Sequence, residues 1–268
     1  LFGFFFFFLM FIFIIMYGMM VFRSVMEEKT NRIVEIIVSS VKPFQLMLGK
    51  ILGIAILGIC QFIVMGIITT ILTTVLSGTL LKDVKADLAK FQQQQQEVFK
   101  NGTNADLEKF DKMQDKLETF EILQQVQNLN FVEIAICFLL YFIGGYLFFS
   151  SILAAIGSAV DAESDAQQFM MPVMLPLMAG YFIAAKMMTN PEGALAFWGS
   201  IIPFTSPIVM MARLPFGVPF WQIALSVTLL YVSFIGATWL AGKIYRTGIL
   251  MYGKKVSWKE LSKWVFYK

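Results

Sequence analysis

Few side chains in this sequence are arranged in a way that could support catalysis. Histidine is absent from the 268 residues, which removes the commonest general base and a frequent metal ligand. Cys60 and Cys137 each lie alone in an apolar run, without the spacing of a metal site or a disulfide framework. Residues 248–254 imitate a phosphate-binding loop, but Lys255 stands where that motif requires Ser or Thr. We therefore predict that this chain is not an enzyme, holds no metal or cofactor and hydrolyses no ATP.

A trio of acidic residues, Asp161, Glu163 and Asp165, occupies the short segment 157–168. Three carboxylates could bind a divalent cation, but alternating acids in a short loop usually form a solvated cap before a helix. We favour the cap. Asp165 is then expected to be the N-cap of the next helix, where a negative charge suits the helix dipole.

The composition decides which elements must position these groups. Hydrophobic residues make up 58% of the chain and charged residues 15%, against about 45–50% and about 25% in soluble domains. A chain of this kind cannot cover its own surface in water, so a soluble enzyme and a disordered protein are both excluded. The net charge of +3 is too small to indicate a nucleic-acid partner. The sequence indicates an integral membrane protein, with lipid around it.

Five apolar segments approach the length of about 20 residues that a membrane-spanning helix needs. They predict an all-α, polytopic membrane helix bundle. The fourth is short and contains Pro172 and Pro176, which predict a kink. The chain begins inside an apolar run without Met, so we expect a preceding helix and six spans in the full chain. The predicted spans are residues 1–22, 51–76, 131–156, 169–185 and 221–242.

Basic residues orient these spans, because cytoplasmic loops carry an excess of Lys and Arg. The connector 21–50, the turn 157–168 and the tail hold 12 of the 21 basic residues, and we place them in the cytoplasm. The predicted parts are residues 1–81 with two spans and the connector 24–50, residues 82–130 as an external helical hairpin, residues 131–242 with three spans and an external broken-helix segment 187–220, and residues 243–268 as a basic cytoplasmic tail.

The predicted hairpin carries apolar residues at spacings of three and four, which indicate one apolar helix face. We favour a spacer or cap over a ligand-binding element here. The residues are Leu107, Phe110, Met113, Leu117 and Phe120.

The connector carries the most informative pattern. Apolar residues stand at helical spacing on one side of a predicted amphipathic helix, with charged residues on the other. Two interpretations stay open: a plain interfacial anchor, or a short helix that offers a mixed-charge face to a cytoplasmic partner. The apolar residues include Ile33, Ile36 and Ile37, and the charged residues include Glu28, Lys29, Arg32 and Glu35.

The segment 191–219 contains five prolines and predicts broken helices that dip into the outer leaflet. Irregular backbone at that depth needs protein cover or a wet cavity, so Pro203, Pro207 and Arg213 are candidates for an external gate. We expect Arg213 to snorkel toward water.

The predicted spans contain almost no charged side chain, which disfavours a proton-coupled carrier. The energy for any transport must then come from a partner.

Three stretches, in order, resemble ABC-2 type permeases. EEKTNRIVEIIVSSVKPFQLMLGKILG (27–53) is similar to the signature after the second membrane helix of that family. AVDAESDAQQFMMPVMLP (159–176) resembles its turn between the fourth and fifth spans, and IIPFTSPIVMMARLP (201–215) its external segment before the last span. The resemblance is closest to NatB-like sodium-efflux permeases, which usually carry another N-terminal helix and a large external domain.

This resemblance implies a permease half that pairs with a second permease copy and docks a separate ATPase, which holds ATP and Mg²⁺. It implies a cell membrane of a bacterium or archaeon, and export of sodium. Drugs, peptides or lipid-linked molecules are alternative substrates, and a membrane scaffold or regulator without a transport pathway is an alternative function. By resemblance, 27–40 contains the coupling helix. The residues expected to contact the ATPase are Glu28, Arg32, Ile33, Glu35, Ile36 and Ile37.

Overall fold

The computed structural model is helical throughout the residues that it describes and contains no strand there, which confirms the all-α prediction. The predicted hairpin 82–130 lies outside the described residues. The structure describes residues 2–38, 40–68, 70–71, 74, 131–252 and 257–266.

Among the described residues, five helices are long and apolar enough to cross a membrane, as predicted: Gly3–Thr30, Pro43–Ile68, Val132–Ala159, Ser164–Met187 and Phe220–Gly248. They start earlier or end later than the apolar runs because polar residues extend their first or last turns. In chain order the helices are α1 (Phe2–Thr30), α2 (Ile33–Val38), α3 (Pro43–Ile68), α4 (Phe131–Ala159), α5 (Glu163–Met187), α6 (Ala194–Ile201), α7 (Ser206–Arg213), α8 (Phe220–Gly248) and α9 (Trp258–Trp264).

The chain forms two compact units, one of Leu1–Ile59 with Val132–Lys268 and one of Cys60–Phe131. In the first unit α4 is the central helix, because polar contacts join it to its neighbours. The Tyr146 hydroxyl donates to the Ile51 carbonyl of α3 at 2.8 Å. Ser151 and Thr238 of α8 share a hydrogen bond of 2.8 Å between their hydroxyls. Such bonds hold spanning helices together where apolar contacts with lipid and with protein are nearly equivalent.

Aromatic rings fill the space between α1 and α4. Phe13 and Tyr17 of α1 contact Phe142 of α4 with ring centroids 5.9 Å apart in both pairs, in edge-to-face arrangements. Tyr17 also contacts Tyr146 at 6.4 Å. Edge-to-face contacts are electrostatically favourable, because the positive edge of one ring meets the negative face of the other. Further along, Gly157 lets α4 approach α1 closely, since a Cβ there would lie 2.9 Å from the Phe22 carbonyl oxygen.

At one end of the bundle α1 joins α3 through residues 31–42. We call this the connector end; the turn 160–162, Tyr252 and α9 lie there too. The opposite end carries α6 and α7, two short helices within the predicted segment 187–220. All of α7 is buried, and it contacts α1, α5 and α6. Helix α1 therefore runs from the connector to the packed short helices.

Candidate functional site

The connector begins with a sharp reversal after α1. The Asn31 N–H donates to the Glu27 carbonyl and the Arg32 N–H to the Lys29 carbonyl, both at 3.0 Å, which ends α1. Arg32 then takes a left-handed backbone, with φ of 54°, a conformation that costs a residue other than glycine about 1–2 kcal/mol. Glu28 and Lys29 therefore belong to the last turn of α1, and only Ile33–Val38 forms the separate helix α2.

Lys29 is fully buried, although the sequence pattern placed it on the charged side of the connector. Its Nζ lies 2.9 Å from Oδ1 of Asp161 and donates to the Ser158 carbonyl oxygen at 2.8 Å. Asp161 itself keeps 32% of its side chain exposed. The ion pair joins the end of α1 to the end of α4 and to the turn before α5.

This pairing gives Asp161 a structural role. The described residues contain no group of three or more His, Cys, Asp or Glu that could hold a metal ion. The expectation that Asp165 caps α5 is wrong: the N-cap is Ala162, and no side chain accepts a cap hydrogen bond there. The carboxylate of Asp161 instead turns toward the buried lysine.

A second ion pair joins α1 to α3. Lys50 Nζ lies 2.6 Å from Oε2 of Glu28 and donates to the Ser24 carbonyl oxygen at 2.9 Å. Glu28 is therefore directed at the bundle and only partly exposed, whereas the sequence pattern had grouped it with the partner-facing residues. The two pairs fix α1 against α3 and against the turn between α4 and α5.

Tyr252 brings the C-terminal part of the chain to the same place. Lys29 Nζ lies 5.9 Å from the Tyr252 ring centroid and the Arg32 guanidinium carbon 5.8 Å from it, within cation–π range. Burial raises the pKa of the Tyr252 phenol, and the Glu35 carboxylate raises it further. Beyond Tyr252, the ring of Trp258 in α9 lies 4.9 Å from that of Phe169 in α5.

Of the α2 side chains that the structure describes, one is fully buried. Val34 is fully buried, whereas Ile33 is 43% and Ile36 76% exposed. Two residues of the apolar side that the sequence pattern indicates, Ile33 and Ile36, are therefore exposed, and Ile37 is half-buried. We use the name α2 surface for the exposed residues Arg32, Ile33, Glu35 and Ile36.

At the opposite end, Arg213 is only 6% exposed, so the snorkelling interpretation is wrong. Its Nη1 donates to Ser200 Oγ at 2.6 Å and its Nε to the Pro191 carbonyl oxygen at 3.2 Å. The Ser226 hydroxyl of α8 donates to the Ser200 carbonyl oxygen at 2.6 Å. Burial lowers the pKa of Arg213, and the Glu192 carboxylate opposes this. These bonds tie α6, α7 and α8 together.

The two predicted gate prolines lie beside this cluster in the fold. Pro203 is in the turn between α6 and α7, and Pro207 is in the first turn of α7, where proline fits a helix well. Pro207 packs on α4 at Gly145, where a Cβ would lie 2.9 Å from the proline Cγ.

Comparison with known proteins identifies the family of this chain. The sequence model of the ABC-2 family transporter proteins matches residues 1–243. The chain belongs to the ABC-2 transporter family. This finding confirms the membership that the three motifs predicted. The likeness to NatB-like permeases stays a prediction.

Two curated relatives of this ABC-2 chain are similar along most of its length. The uncharacterized protein YhaP of Bacillus subtilis is 28% identical over 252 residues, covering 92% of this chain and 51% of the relative. The uncharacterized protein MJ1024 of Methanocaldococcus jannaschii is 26% identical over 246 residues, covering 91% and 49%. The chain thus spans about half the length of these relatives. No solved structure matches it.

The buried pair of this ABC-2 chain gives an asymmetric prediction. Asp161→Asn leaves the buried Lys29 charge without its counterion, which we expect to cost about 3–5 kcal/mol. Lys29→Met costs less, because the remaining Asp161 can turn to water. The double variant should resemble Lys29→Met. The measurement is the thermal unfolding midpoint of the purified protein in one detergent.

Asp165→Asn is the matched control. It also removes one negative charge, but from a residue in the first turn of α5 instead of from the partner of Lys29. Equal midpoints for Asp161→Asn and Asp165→Asn would show that the Lys29 pair does not stabilise the connector end.

Proposed function

We propose that this chain is the transport subunit of an ABC-2 exporter and that the α2 surface docks a separate ATPase. One observation carries the proposal: Ile36 is 76% exposed on a short helix that directly follows the end of α1, which two ion pairs anchor to the bundle. An isoleucine flanked by exposed Arg32 and Glu35 is suited to an apolar contact with a polar rim, as in protein–protein interfaces.

The fixed base explains how docking would move the bundle. A displacement of α2 reaches α4 and the start of α5 through the Lys29–Asp161 pair, and α3 through Glu28–Lys50. The ion pairs resist separation because a buried charge without its partner is costly. Motion of the ATPase is therefore passed on as rigid-body motion of the spans.

The same motion would reach the opposite end through α1, which packs against the buried α7. There the Arg213 bonds hold α7 to α6, with Pro203 in the turn between them and Pro207 in the first turn of α7. We propose that this segment opens and closes the outer exit. The turn at Pro203 separates α6 and α7 into short helices, which the Arg213 bonds would make move together.

The partners follow from this assignment. The ATPase holds ATP and Mg²⁺, and a second permease copy completes the pathway. Gly49 and Gly53 on α3 support pairing, since a Cβ on either would meet no atom within 4 Å. Small residues four apart on an exposed helix face allow close approach of another helix.

We further propose that the connector end is cytoplasmic, in the cell membrane of a bacterium or archaeon. The basic residues of the connector and tail support this orientation. The two curated relatives come from a bacterium and an archaeon.

Sodium is the proposed substrate, supported by the likeness of residues 27–53 to NatB-like permeases. Vesicles that hold the permease and its ATPase, loaded with sodium, should show ATP-dependent sodium movement. No such movement, with ATPase activity intact, would contradict sodium and leave drugs, peptides or lipid-linked molecules to test.

Docking at the α2 surface predicts the effect of one exposed substitution. Ile36→Asp should leave the unfolding midpoint of the permease nearly unchanged, because the side chain makes little buried contact. It should lower co-purification of the ATPase at least about tenfold, as expected for a central apolar contact worth about 1.4 kcal/mol or more. The measurement is ATPase recovered per permease, together with ATP hydrolysis.

Leu250→Asp is the control, since Leu250 is an exposed apolar residue at the same end. If both variants recover as much ATPase as the unchanged protein, the docking proposal fails. If the ATPase binds but no candidate substrate moves, the chain is a scaffold or regulator instead.

A further inference from the structure

An open cleft of about 470 Å³ lies between α3 and α8 in the half of the bundle nearest the connector end. Apart from Thr238, its lining residues take no part in the contacts described above. The residues that line it are Phe44, Leu48, Phe234, Ile235, Thr238, Trp239, Gly242, Lys243 and Arg246.

The walls of the cleft are apolar. The Thr238 hydroxyl is already bonded to Ser151 within the bundle, so it offers no polar group to an occupant. Gly242 lets the Phe44 ring approach α8 closely, since a Cβ there would be 2.6 Å from the ring. An apolar chain can therefore occupy the cleft without stripping water from a polar group.

The end of the cleft nearest the connector carries two cations. Lys243 Nζ lies 4.1 Å from the Trp239 ring centroid, which holds the ammonium at the rim. Arg246 is exposed one turn further along α8. Within the described part of the chain the ion pairs involve Lys29 and Lys50, so neither rim cation is paired with an acid there.

The dimensions match one leaflet of a bilayer. The lining residues of α8 run from Phe234 to Arg246, which at 1.5 Å per residue is about 18 Å. Half of the hydrocarbon core is about 15 Å. A groove that starts among apolar residues and ends at cations in the last turns of a span has the polarity of a single phospholipid.

We propose that this cleft binds an anionic phospholipid, with one acyl chain between α3 and α8 and the phosphate at Lys243 and Arg246. Arginine and lysine both recognise phosphate, arginine through a bidentate fork. The site would attach a lipid of the connector-end leaflet to the two helices that flank it, whichever substrate the exporter moves.

The test is native mass spectrometry of the full-length protein released from nanodiscs of equal phosphatidylglycerol and phosphatidylcholine. The unchanged protein should retain the anionic lipid in clear preference. Lys243→Gln with Arg246→Gln should lower that preference about fivefold for each cation. Lys259→Gln with Lys263→Gln in α9 loses the same charge away from the cleft and should retain the preference.

A second pair of variants tests the apolar part. Leu48→Trp fills the cleft and should lower retention of both lipids, whereas Leu48→Ala should not. Equal retention of both lipids by the unchanged protein, an equal effect of the two charge pairs, or no effect of Leu48→Trp would each overturn the proposal. So would a lipid-free dimer cross-linked through cysteine at position 48, because the occupant would then be a second copy.

Discussion

A single buried charge determines how the connector end is built. Lys29 lies in the last turn of α1 with no exposed surface, where a charged ammonium is stable only beside a counterion and hydrogen-bond acceptors. Asp161 and the Ser158 carbonyl supply them, and this requirement sets where the turn between α4 and α5 lies against α1. The start of α3 is fixed in turn through Lys50, and α2 lies between these anchored ends.

The opposite end uses the same kind of constraint on different elements. Arg213 is buried and donates hydrogen bonds to Ser200 and to the Pro191 carbonyl, so α6 and α7 stay packed although Pro203 separates them. Helix α1 contacts both ends, because Lys29 closes one end and α7 packs on the other. The two buried cations thus lie at the two ends of the bundle that α1 connects, and this helix is the route that the proposed coupling would use.

Much of the fold could be predicted from the sequence, because a long apolar run indicates a helix surrounded by lipid without any knowledge of distant contacts. The five spans and the all-α class followed from that property. The site depended on contacts between distant residues: Lys29 and Ser158 are 129 positions apart, and the helical pattern of the connector did not reveal them. One signal was available, since Val21, Val25 and Lys29 continue the buried stripe of α1 at spacings of four. Arg213 gave no comparable signal, because its acceptors include a backbone carbonyl.

The central claim is that α2 contacts the ATPase while the end of α1 anchors α2 to the bundle. Photo-cross-linking tests this claim most directly. A benzophenone amino acid would replace Ile36 in the full-length permease, with Leu175, an exposed residue of α5, as the control position. Irradiation of the assembled complex should give an adduct of permease and ATPase from position 36 and none from position 175. An assembled, active complex that gives no ATPase adduct from position 36 would contradict the account.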